Sequence, residues 1–353
     1  VGGRLRIAFL DSWWRAPARG SGTAVGIAGL AGGLSALGHR VTVADPRRGT
    51  PGRMATRLLY NLELASRVRP GAFDLVVGFD WDGWGYPSPP GVPYVVCLKG
   101  VVADEARFER GWPRAQLKLQ AVLEAWNARR AARVVTTSRY SKTRACSAYG
   151  LAPAAVAVVP EGIDLAAWPR APRRPAGPPT ILSVARQYPR KNTRSLLEAM
   201  PRVRRAVPDA RLRVVGAGPE LPALQRLARR LGLESCVRFL GAVPDGRVRA
   251  EFARAHVFCL PSLQEGFGIV YLEAMAAGLP VVAGDRTAAA EVVAPRETGL
   301  LVPPRDPEAL AGALVRLLED PALRARMGAA GRTRAEAHAW PAVARRFLRA
   351  VGA

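Results

Sequence analysis

Apolar runs of four to six residues recur along the chain, each followed by a turn and a stretch with helical spacing. The runs predict strands at "LRIAFLD" (5–11), "RVTVAD" (40–45), "DLVVGFD" (74–80), "PYVVCLKG" (93–100), "RVVTTS" (133–138) and "AVAVVPEGID" (155–164). A Gly-bearing loop at 20–22 and an Ala/Gly/Leu-rich helix ending near Gly38 follow the first strand. Further helical patterns lie near 51–68 and 113–132. Ser138 is placed to cap the helix after "RVVTTS".

Residues 169–179, "PRAPRRPAGPP", propagate neither helix nor sheet and read as a linker. Beyond them the rhythm restarts with "TILSVA" (180–185), "RLRVVGAG" (211–218), "VRFLGAV" (237–243), "HVFCLPS" (256–262) and "PVVAG" (280–284). Helices are expected near 192–206, 219–231 and 269–277, and 306–353 reads as helical and Arg-rich. Strands that are apolar throughout and alternate with helices imply parallel sheets covered on both faces. The expected architecture is α/β, with two Rossmann-like domains facing a central cleft and ligands beyond the carboxyl ends of the strands. The expected division is a first domain over 1–168, the linker over 169–179, a second domain over 180–335, and a helix over 336–353 returning to the first domain.

The length, 353 residues, suits two domains of roughly 150–180 residues each. No repeat of solenoid period is present. The 52 basic residues outnumber 28 acidic ones, for a net charge of +24, which favours anionic partners. Lys stands only at 99, 118, 142 and 191 and every other base is Arg. A site that tolerated either base would have become Arg, so these lysines draw notice. Cys97, Cys146, Cys236 and Cys259 lie far apart and His39, His256 and His338 are scattered, so neither a disulfide framework nor a metal site is expected. No run reaches the ~20 apolar residues of a membrane span. The N-terminus enters a strand pattern directly, without a signal-peptide profile. A reduced, cytoplasmic location is expected.

"QEGFGIVYLEAMAAGLPVV" (264–282) sets Glu265 and Glu273 in an otherwise apolar run. On one straight helix they would stand ~12 Å apart along the axis and ~80° around it. A glycosidase pair needs carboxylates ~5–9.5 Å apart, so the spacing suits two acceptors touching different parts of one long ligand. Gly266 and Gly268 leave the backbone bare around Phe267 at a helix start, where amides face an anion or polarised hydroxyls. In "ARQYPRKNTRSLLEAM", Arg186 follows a strand and Lys191 precedes a helix, a pair able to hold a diphosphate. Gly216 and Gly218 at a strand end permit a tight turn and a close ligand approach.

In combination these segments resemble the family 4 retaining glycosyltransferases of the GT-B architecture. Glu265 and Glu273 match that family's E-x7-E motif, Arg186 and Lys191 its Arg/Lys pair, Gly216–Gly218 its glycine turn and residues 20–22 its first-domain loop. "ALGHRVTV", "VVPEGIDL" and "AWPAVARRF" are also similar to family segments. The resemblance implies that the domain over 1–168 binds the acceptor and the domain over 180–335 the nucleotide-sugar, with Glu265 contacting the donor sugar and Glu273 the ribose. Arg186 and Lys191 would stabilise the departing diphosphate without a metal. Phe267 and Gly268 would offer backbone contacts, Gly22 would reach the phosphates, and the base would lie near Val243 and Gly216. No cofactor is implied, because the nucleotide-sugar (UDP-, GDP- or ADP-linked) is a co-substrate. Two positions depart from the pattern. Lys99 stands where a His is frequent, and Glu161 in "VPEGID" stands where Asn is common. Lys99 is counted with the catalytic candidates, as a contact to phosphate or a group polarising an acceptor.

For the sugar-containing acceptor, Trp13, Trp81, Asp82 and Trp84 near first-domain strand ends offer aromatic faces and a carboxylate. The basic amphipathic patterns at 52–69 and 113–133 suit peripheral contact with an anionic membrane at its inner face. The expected activity is hexosyl transfer from a nucleotide-diphosphate sugar to an acceptor hydroxyl with retention. The alternatives are a GT-B epimerase or phosphorylase, and a basic nucleic-acid-binding protein. The last lacks any RNA-module signature, so no specific nucleic acid is expected.

Overall fold

The structure, a computed structural model, describes residues 3–12, 22–46, 54–69, 71–168 and 177–353. Trp13 and residues 169–176 of the expected linker lie outside these. The chain divides into two compact units: one takes the chain up to Gly162 together with Trp340–Ala353, the other Ile163–Ala339.

In the first unit β1 (Arg6–Leu10), β2 (Arg40–Ala44), β3 (Leu75–Phe79), β4 (Tyr94–Leu98), β5 (Arg133–Thr136) and β6 (Val156–Val158) form one sheet in the order β2-β1-β3-β4-β5-β6. Every pairing is parallel. Strand alternation sends Ile7 and Phe9 into the core on one face, and Ala8 and Leu10 into the core on the other. Burial on both sides is why these strands are apolar throughout. Ser138 caps the helix Arg139–Tyr149 by accepting from Ser141 N at 2.9 Å.

The terminal helix Trp340–Val351 packs on the helix Gly22–Ala36 of this same unit. Its buried face, Trp340, Val343, Ala344 and Phe347, follows the helical period. The partner helix makes room by lacking side chains. A Cβ on Gly29 would stand 1.9 Å from the Trp340 ring, and one on Gly33 would stand 2.6 Å from the Trp340 carbonyl oxygen.

The second unit holds β7 (Thr180–Val184), β8 (Arg211–Val215), β9 (Val237–Gly241), β10 (Val257–Leu260), β11 (Val281–Gly284) and β12 (Gly299–Val302). They form a second parallel sheet in the order β12-β11-β10-β7-β8-β9. β12 and the helix Asp245–Arg254 are additions to the elements expected. β12 is four residues long and follows a turn with Arg296 at φ 64°, too short for a period to declare itself.

Strand order reverses between β1 and β3 in one sheet and between β7 and β10 in the other. In doubly wound sheets such switch points open a crevice at the carboxyl ends of the strands, where ligands bind. Among the described residues no helix is long and apolar enough to cross a membrane.

Candidate functional site

At the switch point of the second sheet, the loop after β7 carries Arg186, Gln187, Tyr188, Arg190 and Lys191, and the loop after β10 carries Ser262 and Glu265. Lys191 Nζ donates to Glu265 Oε2 at 2.6 Å, and Ser262 Oγ donates to the same oxygen at 3.3 Å. Lys191 is held there by a one-turn 3-10 helix that ends on Asn192 in the left-handed region. Asn192 in turn donates through Nδ2 to Pro261 O at 3.1 Å, tying the two loops together.

Arg186 is exposed and has no carboxylate within ion-pair distance among the described residues. Its guanidinium lies 5.4 Å from the Tyr188 ring, and that of Arg190 lies 5.0 Å from the same ring. Two cations thus lie against one aromatic ring. Sequence reading passed over Tyr188 and Ser262, although an aromatic inside a basic loop was a visible signal for the first.

Gly216 and Gly218 pack against the backbone of this loop. A Cβ on Gly216, at φ 114°, would meet the Ala185 carbonyl oxygen at 1.9 Å, and one on Gly218 the Gln187 carbonyl oxygen at 2.5 Å. The absent side chains let the 185–187 backbone approach closely. Gln187 is buried, accepts from Thr193 Oγ1 at 2.7 Å and donates to Ala185 O at 2.7 Å, so the loop has a fixed shape. Val243 is half-buried just past β9.

The helix Ile269–Ala276 starts on Gly268, which has φ 87°. A Cβ there would lie 2.4 Å from the Tyr271 ring, so only glycine fits. Gly266 and Phe267 are buried, and the Phe267 ring packs in the core facing His338 at 6.0 Å. The Phe267 side chain is thereby taken up by core packing. Glu273 lies one helical turn further in and is half-buried. Burial pushes its carboxyl up to about 7, Asp245 adds to the rise and Arg249 opposes it.

In the first unit the acceptor candidates have other duties. Asp82 is fully buried and its carboxylate accepts from Ser12 N and Oγ at 3.0 and 2.6 Å, from Asn61 Nδ2 at 3.0 Å and from Arg57 Nε at 3.3 Å. Trp81 is buried, with the Arg57 guanidinium 3.9 Å above its ring. Both hold the loop after β3 together rather than present a surface, contrary to the expectation for them. Trp84 is half-buried against Trp126 at 5.6 Å. Gly22 is exposed at the start of its helix.

Lys99 follows β4 at the carboxyl edge of the first sheet. Its Nζ donates to Glu161 Oε1 at 2.9 Å, and the two side chains are only 7% and 5% exposed. The Lys99 backbone N–H donates to Asp80 Oδ1 at 2.8 Å. Asp80 adopts φ 54°, a strained backbone for a non-glycine residue. Burial pushes its carboxyl up to about 6, against the Lys99 N–H and Arg57.

Residues 20–167 match the family profile Glycosyltransferase Family 4, and residues 166–334 match Glycosyl transferases group 1. The chain is 38% identical over 333 residues to the D-inositol 3-phosphate glycosyltransferase of Kineococcus radiotolerans, a match covering 84% of this chain and 75% of that protein. It is also 38% identical over 249 residues to a GDP-mannose-dependent alpha-(1-6)-phosphatidylinositol monomannoside mannosyltransferase of Mycolicibacterium smegmatis. That match covers 66% of this chain and 64% of the relative, so the chain spans just under two thirds of the mannosyltransferase's length. The fold is that of sucrose-phosphate synthase from Thermosynechococcus elongatus, with a TM-score of 0.82 over 98% of each chain at 24% identity. Two doubly wound parallel sheets with a terminal helix on the first are the GT-B architecture. By profile, by sequence relationship and by fold, the chain belongs to the family 4 (group 1) glycosyltransferases.

Proposed function

We propose that this protein transfers a hexosyl group from a nucleotide-diphosphate sugar to an acceptor hydroxyl, with retention at the anomeric carbon. The observation that carries the reading is the meeting, at one switch point, of an exposed arginine, a second arginine beside the same tyrosine ring and the Lys191–Glu265 pair. Arg186 and Lys191 take the charge that develops on the diphosphate as its bond to the anomeric carbon breaks. Glu265 and the amides around Gly268 hold the sugar, and Glu273 accepts the ribose hydroxyls. The acceptor oxygen bonds to the anomeric carbon, and its proton passes to the departing phosphate. Two cations suffice for the leaving group, so turnover is expected to survive chelation of divalent metals.

The named relatives act, one on D-inositol 3-phosphate and one with GDP-mannose on a phosphatidylinositol mannoside. We infer GDP-mannose or UDP-glucose as the first donors to try and an inositol-bearing acceptor, free or lipid-linked. A lipid-linked acceptor is supported by the first unit's surface. Trp112, Leu119, Val122 and Trp126 are exposed on the helix Gly111–Arg130 and fall within about 80° of its circumference. Exposed Arg114 and Lys118 stand on the same helix, and Leu59 and Leu62 are exposed on Met54–Leu62. An apolar stripe beside basic side chains suits an anionic bilayer.

The test is a thermal-shift panel of UDP, GDP, ADP and their hexose conjugates, followed by turnover with inositol phosphate and phosphatidylinositol acceptors in the presence of EDTA. A rise in melting temperature with one nucleotide and product formation from its sugar are expected. No shift with any nucleotide would dismiss the reading.

A further inference from the structure

The two positions that depart from the family pattern touch each other. Lys99 and Glu161, 62 residues apart, form an ion pair at 2.9 Å with both side chains nearly enclosed. The walls around them include Leu30, Val135, Val159, Trp340 and Phe347. In such surroundings an uncompensated ammonium is costly, and Glu161 is the carboxylate that holds Lys99 there. The helix Gly22–Ala36 yields space as well. A Cβ on Gly26 would stand 2.6 Å from Glu161 Oε2, so the carboxylate occupies the place where a side chain would be.

The position bears on ligand chemistry. Lys99 follows β4 and Glu161 follows β6, both at the edge of the sheet where ligands of doubly wound folds bind. A Lys ammonium has three N–H donors and Glu161 takes one, so donors remain for a ligand. Among the described residues the charges nearby include Asp80, which accepts from the Lys99 N–H, and the mutually paired Arg57 and Asp82. One ammonium among Glu161 and Asp80 is no trap for phosphate, since the carboxylates cancel its charge. A sugar hydroxyl suits it, accepting from Lys99 while donating to a carboxylate. Arg186 is the opposite case, an exposed cation with no carboxylate partner among the described residues.

We propose that Glu161 is a positioning residue for Lys99, and that the pair works as one unit reading a hydroxyl of an uncharged sugar during transfer. This rests on the transferase reading above and adds Glu161 to its machinery. It also removes Lys99 from the phosphate ligands.

The experiment compares Lys99→Met, Glu161→Gln and the double variant with the wild type. Readouts are kcat/KM with the donor and acceptor that score in the panel, and affinity for the nucleoside diphosphate alone by calorimetry. The double variant replaces the ion pair by neutral side chains of similar size, so it keeps the packing without leaving either member of the pair charged and alone. Each variant, the double included, is expected to lose about thirtyfold or more in kcat/KM. The double should cost no more than the worse single. Nucleoside diphosphate affinity should stay within about twofold of wild type, because that site lies in the other unit. If the singles fall and the double recovers to within about threefold of wild type, the pair only packs the fold and the proposal is overturned. Equal loss of nucleoside diphosphate affinity in all variants would overturn it too, as a global defect. A wild type that binds no nucleotide overturns the transferase reading, and this inference with it.

Discussion

Lys191 Nζ and Glu265 Oε2 stand 2.6 Å apart, although 74 residues separate them in the chain. The reversal of strand order between β7 and β10 brings their two loops side by side. The pair places a cation and a carboxylate side by side, and each restrains the other.

From this contact the two residues are expected to respond differently to substitution. Lys191→Ala should weaken nucleoside diphosphate binding at least about tenfold, because a charge-assisted contact to phosphate is lost. Glu265→Gln removes the lysine's competitor, so the same affinity should hold or tighten while kcat falls at least about tenfold. Calorimetry and steady-state kinetics on both variants check this. Parallel losses of nucleotide affinity would remove the division of labour.

Glu273 sets a pH dependence. Its carboxyl is pushed up to about 7, chiefly by burial, so near neutrality it is only partly ionised. If the carboxylate accepts ribose hydroxyls, nucleotide affinity should rise between pH 6 and 8 and level off above, and Glu273→Gln should flatten the profile. The stability sign is opposite. A carboxyl whose folded-state pKa is raised contributes stability that is full below its unfolded value and is lost as pH rises through about 7. Glu273→Gln should therefore raise the melting temperature at pH 8.5 and change it little at pH 5. Thermal melts at the two pH values decide it.

Trp340 against Gly29 anchors the terminal helix to the first unit. Gly29→Val drives a branched side chain into the indole and should destabilise the protein by about 2 kcal/mol or more. Gly32→Val on the same helix, where nothing lies near the Cβ position, carries only the propensity change and serves as control. Comparable melting temperatures for the two variants would argue against the anchor.

The exposed stripe of Trp112, Leu119, Val122 and Trp126 predicts binding to anionic vesicles. Each of Arg114→Gln and Lys118→Gln should weaken partitioning about fivefold, at roughly 1 kcal/mol per charge near the surface. Trp112→Ser should reduce it further and leave turnover on a water-soluble acceptor intact. Sedimentation with phosphatidylglycerol-containing liposomes, at low and high salt, measures both effects. Salt-insensitive binding would contradict the charge contribution.

The fold was readable because continuous apolar strands alternating with helices have few solutions other than doubly wound parallel sheets. Local chemistry was equally plain: the Ser138 cap, the glycine opening the helix at Ile269 and the helical period of the terminal segment all answer to neighbours a few residues away. β12 escaped notice because four residues are too few to show a period.

What lies far apart in the chain was settled only by tertiary packing. The sequence by itself marked Lys99 and Glu161 as two separate oddities, and only the approach of β4 and β6 ends makes them one buried ion pair. It marked Trp81 and Asp82 as surface candidates by residue type. Packing instead turned them inward, where Ser12, Arg57 and Asn61 satisfy the carboxylate. It marked Gly216 and Gly218 as close-approach points, and only the structure shows that the backbone of 185–187 packs against them. The physical reason is common to all three. Periodicity and caps report local interactions, whereas burial and charge pairing depend on neighbours that only the folded chain assembles.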